Sequence, residues 1–372
     1  MHTHKDIHFF LGANAPAGFY SLYDQLVDPY TDETLHIIKG GPGCGKSSFL
    51  KTIAKGLTEA GLTVEQIHCS LDPDSLDGIY IPALGIGYAD GTAPHILEPR
   101  YAGVMEQYLN LGEFYDCDAL RPFKSQVIKL THKYKNLYTR AYDCIMAASG
   151  VTREMSSHVA DETVIAAVKK RTKGIIAREI GKKRTHPAER GGLGTPGPKI
   201  TRRFLTALTH KGCVGRFDTV DALAGRVYHL DNHLGLAHYM LTDLLSAATK
   251  AGLDCVVCPS PMDPERLEHL FILPLDLAFV SSNYQIQYEG PAYRHIRLDA
   301  MADNERLKAN KARIRFSKKV FTLLMDEAIR TLGEAKTLHD ELEQIINPHV
   351  DFGGVYDLAE YHLQDLLKKV VA

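Results

Sequence analysis

Eight consecutive residues, Gly40-Gly41-Pro42-Gly43-Cys44-Gly45-Lys46-Ser47, fit the spacing G-x-x-x-x-G-K-[ST] in full, and Ser48 follows them. Glycines let a backbone curl until successive N–H groups point at phosphate oxygens, helped by the positive end of the following helix. Lys46 is then expected to reach the β- and γ-phosphates and the Ser47 hydroxyl to ligate Mg²⁺. A glycine-rich turn that merely joins two elements would explain neither residue. No N/T-K-x-D motif for reading guanine accompanies the loop, so the expected cofactors are ATP and Mg²⁺, held by Gly40 through Ser48.

A phosphate loop also needs a carboxylate at the end of a nearby strand to anchor the metal shell. The apolar run Leu84-Gly85-Ile86-Gly87-Tyr88-Ala89 ends in Asp90, which is assigned that role, and Lys46 with Asp90 forms the expected catalytic pair. Thr92 and His95, just beyond, are within sequence reach of a γ-phosphate or a water, although a loop histidine is ordinarily solvated. No glutamate directly follows Asp90, which argues against fast hydrolysis. The acidic run Asp72-Pro73-Asp74-Ser75-Leu76-Asp77 reads as a helix start, with Asp72 as N-cap and Pro73 as first helical residue; roles for Asp74 and Asp77 stay open. Cys44 lies where a helix N-terminus can lower a thiol pKa and make it oxidisable. Cys255 and Cys258 have CxxC spacing but no second pair, which favours a buried strand over metal or redox work.

The elements that must position these groups come in two sets. Ala60-Gly61-Leu62, Asp72-Pro73, Leu76, Ile81 and Leu84 recur 191 residues later as Ala251-Gly252-Leu253, Asp263-Pro264, Leu267, Ile272 and Leu275. Upstream, Phe10-Leu11, Gly18 and Asp24 recur at an offset of 194 as Phe204-Leu205, Gly212 and Asp218. Strand and helix patterns alternate in each copy. The expected fold is α/β: tandem duplicated P-loop NTPase-like parallel sheets flanked by helices, with helical extensions over 120–148, 304–346 and 355–371. The expected division is an active phosphate-loop domain over 1–168, a basic segment and Gly/Pro linker over 169–200, and a degenerate copy over 201–372. In that second copy Asp231, Leu236, Ala237 and His238 stand opposite Gly40, Gly45, Lys46 and Ser47, and Ser281 stands opposite Asp90. It is not expected to bind Mg-nucleotide.

The chain has 372 residues, 45% hydrophobic and 24% charged, which excludes disordered and fibrous classes. No apolar run reaches the ~18 residues of a membrane span, and no secretory leader pattern opens the sequence. Seven cysteines suit a reducing compartment, so the expected location is cytoplasmic with no membrane partner. Between Lys169 and Arg203 stand twelve basic residues and two acids. That segment reads as a solvated helix and linker, as a surface for nucleic acid or an acidic partner, or as a lid over phosphates.

The phosphate loop, Phe9-Phe10-Leu11-Gly12, Gly18-Phe19-Tyr20-Ser21-Leu22, His68 through Gly78, Asp90-Gly91-Thr92-Ala93-Pro94-His95 and His339-Asp340-Glu341-Leu342-Glu343 together resemble a family of bacterial duplicated P-loop NTPases described as ATPases or ATP-binding proteins. The resemblance covers most of the chain. It implies the duplicated fold and a nucleotide cofactor. In the family the second copy commonly keeps its own phosphate loop, and this sequence departs from that between Asp231 and His238. The expectation is a P-loop ATPase with one intact site; a small-molecule or nucleotide kinase and an ATP-gated binding module are the alternatives.

Overall fold

The computed structural model describes residues 6–181 and 197–371. The first half contributes β1 (Ile7–Phe10), β2 (Gly12–Ala15), β3 (Gly18–Ser21), β4 (Thr34–Lys39), α1 (Lys46–Glu59), β5 (Glu65–His68), β6 (Leu76–Ile81), β7 (Ile86–Asp90), β8 (Glu106–Asn110), α2 (Cys117–Leu120), α3 (Lys124–Ser157) and α4 (Glu162–Glu179). The second half contributes β9 (Ile200–Arg202), β10 (Thr206–Thr209), β11 (Gly212–Gly215), α5 (Asp218–Leu223), β12 (Arg226–Asp231), α6 (Ala237–Lys250), β13 (Cys255–Ser260), β14 (Asp263–Ile272), β15 (Leu277–Ser282), β16 (Arg294–Arg297), α7 (Asn304–Ala309), α8 (Lys311–Ile346) and α9 (Phe352–Val371).

The two sheets run β1-β5-β6-β7-β4-β8 and β9-β13-β14-β15-β12-β16, the same order element for element. The small hairpin of β2 and β3 is repeated by β10 and β11. The internal repeat is therefore a structural duplication in an α/β arrangement.

The sheets are mixed, which corrects the expectation of parallel ones. β6 runs antiparallel to both β5 and β7, and β14 runs antiparallel to β13 and β15. A parallel crossover needs a dozen or more connecting residues, whereas only residues 69–75 and 82–85 link these first-half strands. The same shortage removes the helix that Asp72 was expected to cap. Residues 72–75 form a turn instead, in which the Asp72 carboxylate accepts from the Asp74 N–H at 3.3 Å and the Ser75 hydroxyl at 3.1 Å. Its counterpart Asp263-Pro264 opens strand β14.

The apolar faces of the two sheets share one core, with Phe9, Phe10 and Leu11 meeting Phe204, Leu205 and Phe271. Phe10 and Phe204 exchange backbone hydrogen bonds at 2.9 and 2.8 Å. The buried Arg203 guanidinium crosses to the Glu65 carboxylate and to the Gln25 carbonyl at 3.0 Å, so its charge is paired where water cannot reach it.

The helical extensions exchange partners. α3 and α8 lie along one another, but α4 leaves the first half and covers the second, burying Val164, Val168 and Ile175 against α6 residues Leu241 and Leu244. α9 does the reverse, burying Val355, Ala359 and Leu363 against Phe49, Leu50 and Ile53 of α1. Lys169, Lys170, Arg171 and Lys173 form the exposed face of α4, while Thr172 and Ile175 are buried. Arg178, Lys199, Arg202 and Arg203 are each held by a hydrogen bond or ion pair. Residues 182–196, which carry the other four basic residues and most of the Gly/Pro linker, lie outside the described residues. No described helix is long and apolar enough to cross a membrane.

Candidate functional site

The glycine-rich segment 40–45 turns from β4 into α1 with Gly43 and Gly45 in the left-handed region, at φ +74° and +86°. An L side chain at either position would be strained. Gly40 packs so closely that a Cβ there would stand 2.5 Å from the Cys44 sulfur. The Lys46 ammonium donates to the carbonyls of Gly40 and Gly41, both at 2.8 Å, and lies 3.7 Å from Asp90 Oδ2. Cys44 is fully buried, and that burial pushes its thiol above the ordinary value, which corrects the expectation of an acidic, oxidisable thiol. Desolvation of a thiolate there outweighs the attraction of Lys46.

β7 pairs parallel with β4, placing Asp90 opposite Ile38 at the edge from which the loop departs. Asp90 Oδ1 accepts from the Thr92 N–H at 2.8 Å and from the Thr92 hydroxyl at 2.5 Å, which turns Oδ2 toward Lys46. Thr92 thus orients the carboxylate. The Ser47 hydroxyl accepts from the Leu76 N–H at 3.0 Å and joins α1 to the start of β6.

Because β6 is antiparallel, its first residues arrive at the same edge as the last residue of β7. Asp77 is thereby brought beside Asp90, and its Oδ2 accepts from the Tyr23 hydroxyl at 3.0 Å and pairs with His95 Nε2 at 3.1 Å. His95 is buried, with its ring 5.0 Å from that of Phe19 and 4.5 Å from that of Tyr23, not the solvated loop histidine its neighbours suggested. Burial opposes the His95 charge, but the Asp77 carboxylate and its hydrogen bond raise the imidazole above its ordinary value. Burial likewise opposes the Asp77 charge, and His95 with the Tyr23 hydroxyl holds it below the usual carboxylate range. Asp77, Asp90 and His95 bring donor atoms within 4.8 Å of one another.

The opposite wall comes from the second half. Lys336 of α8 lies 3.5 Å from Asp72 Oδ2 and is also paired with Asp340. His339 and Glu343 lie on the same helix, 3.7 Å apart. The Asn347 amide, turned to donate, bridges the carbonyls of Gly43 at 3.0 Å and Glu343 at 3.1 Å, tying the glycine-rich loop to α8. Tyr134 and Tyr138 of α3 complete a cleft of about 720 Å³ that contains Lys46, Ser47, Ser48, Asp77, Asp90 and His95.

Every expected site residue from Gly40 to Ser48, together with Asp90, thus falls at one sheet edge. The His95–Asp77–Tyr23 chain was not assigned from sequence, because the run 72–77 reads as a helix until the antiparallel strand is seen. The contribution of α8 was visible only in the resemblance carried by His339 through Glu343. In the second half α6 opens at Ala237, where α1 opens at Lys46, and neither a lysine nor a carboxylate replaces Lys46, Ser47 or Asp90. Comparison with protein-family models, curated proteins and solved structures finds no match to the chain.

Proposed function

We propose that the chain binds Mg-ATP at one site, in the first half, and hydrolyses it slowly. The observation that carries this reading is the convergence of Lys46 and Asp90, 3.7 Å apart at the mouth of a glycine-curled loop that opens a helix. The donor set fits the metal: Mg²⁺ takes hard oxygen ligands, and the Ser47 hydroxyl and Asp90 carboxylate are such groups at one edge of the sheet. Bound there, Mg²⁺ would neutralise phosphate charge.

The chain's own residues do the remaining work. Lys46, which rests on two loop carbonyls, exchanges them for the β- and γ-phosphates. Thr92 fixes Asp90, and Asn347 holds the loop against α8. Lys336 supplies a cation from the other half of the chain, a placement suited to charge that develops during phosphoryl transfer. His95, tied to Asp77, and the absence of a glutamate after Asp90 both point to slow turnover.

Calorimetry with Mg-ATP is expected to give one site per chain. Lys46→Ala should weaken binding at least tenfold, about 1.4 kcal/mol. Two equivalent sites, or unchanged affinity in the variant, would overturn the reading. Phosphate released without any acceptor supports an ATPase, acceptor-dependent transfer supports a kinase, and tight binding without turnover supports a nucleotide-gated switch.

A further inference from the structure

The second half keeps the cleft after losing the phosphate chemistry. A cavity of about 460 Å³ lies at the corresponding edge of its sheet, and its lining follows that of the first cleft at the constant offset of the repeat. Leu71 and Leu76 are matched by Met262 and Leu267 and Asp72 by Asp263, while the changes that alter charge or a metal-binding hydroxyl include Ser75 to Arg266 and Ser47 to His238. Both long helices line this cavity as they line the first, with Lys318 and Phe321 from α8 and Arg153 from α3.

The altered residues change what the cavity can hold. The counterpart of Asp90 is Ser281, whose hydroxyl is turned to the Glu268 carbonyl, and His238 Nδ1 is occupied by the Leu267 N–H at 3.1 Å. The hydroxyl and carboxylate expected to meet a metal in the first cleft are gone. Three cations on three elements replace them: Arg153 on α3, Arg266 on β14 and Lys318 on α8. Of the two acids in the lining, Glu268 is already engaged by the Thr206 hydroxyl and the Asn283 amide, both at 2.9 Å. Arg266 Nη2 donates to the Gly235 carbonyl at 2.6 Å, which holds the guanidinium at the cavity wall.

Beside the cations is an aromatic shelf. The Tyr284 ring is about half exposed, with the Lys318 ammonium 4.0 Å above its centre and the His233 ring 4.4 Å away. His233 is itself fixed by Asp299 at 2.7 Å. A flat face, a surrounding apolar wall of Met262, Leu267 and Phe321, and three cations suit a planar ring that carries an anionic group.

The geometry points to a second ligand site, in the degenerate half, that binds a planar organic anion without a divalent cation. The ring would take the place of the Lys318 ammonium over Tyr284, and Lys318, turned off that face, would meet the anion together with Arg266 and Arg153. The inference is independent of ATP binding in the first half.

The test uses the full chain and 8-anilinonaphthalene-1-sulfonate as the probe, in EDTA, by fluorescence titration. Saturable binding of one equivalent is expected, weakened at least tenfold by Arg266→Gln and by Tyr284→Ala, and altered less than twofold by Lys46→Ala. Tyr284 is exposed enough that its truncation should leave the fold intact, which guards against misreading an unfolded Arg266 variant. Absence of saturable binding, binding that survives both second-half variants, or binding lost on Lys46→Ala would overturn the proposal.

Discussion

His95 Nε2 lies 3.1 Å from Asp77 Oδ2, and both side chains are less than one-tenth exposed. Removing one member of such a pair leaves the other charged or unsatisfied in a dry site, which costs about 3–5 kcal/mol. Asp77→Asn and His95→Asn should each destabilise the first half by amounts in that range, and the double variant by less than their sum, in chemical denaturation. Strictly additive losses would mean that the two groups do not interact.

The same pair sets a pH window. His95 is raised in the folded state, so its contribution is present below the unfolded value of about 6.5 and is lost as pH climbs through the folded one. Asp77 is lowered, so its contribution is present above about 3.9 and is lost as pH falls through its folded value. Their joint stabilisation should be largest between those limits. Asp77→Asn should remove that maximum from a denaturation series across pH.

Two other histidines act in the opposite sense. Burial, then the neighbouring His362, lowers His36 to about 4; burial, then Arg216, lowers His68 to about 3. As pH drops below about 6.5 the unfolded chain takes protons that the folded chain refuses until those values, so stability should fall through that interval. His36 stacks on Tyr88 with ring centres 4.5 Å apart, and His36→Phe should keep the stack while making the acid loss shallower.

Docking of α9 on α1 can be read at Gly56. A Cβ there would stand 2.3 Å from Leu363 Cδ2. Gly56→Ala, worth about 1 kcal/mol of added stability in an open helix interior, should instead destabilise this one. Combining it with Leu363→Ala should recover part of that loss in a double-mutant cycle; a stabilising single substitution would mean that α9 does not sit on α1.

Asp90 and Asp72 should respond differently. Asp90→Asn keeps the side-chain shape but removes the charge beside Lys46, so phosphate release should fall far more than the melting temperature. Asp72 holds a turn and meets Lys336 at 3.5 Å, with both side chains partly exposed. Asp72→Ala should cost no more than about 1 kcal/mol. Asp263, at the start of a strand, should not reproduce that effect. Loss of turnover with an unchanged melt in Asp72→Ala would make Asp72 the functional carboxylate.

The turn over 40–47 was legible locally because its glycines lie within eight consecutive residues, and a left-handed φ at Gly43 and Gly45 is a local property. The duplication was equally legible, since a constant offset requires only counting. Strand direction was not: whether Leu76–Ile81 runs with or against its neighbours depends on connection length and on which strand it pairs with, and a buried apolar run reads alike in either case. That direction alone moved Asp77 from a supposed helix to the edge shared with Asp90 and His95. The exchange of α4 and α9 between halves was likewise beyond periodicity, because an amphipathic stripe states that a face must be covered without stating by what. Only the tertiary structure decided that residues near 340, almost three hundred positions from Lys46, form the other wall of its cleft.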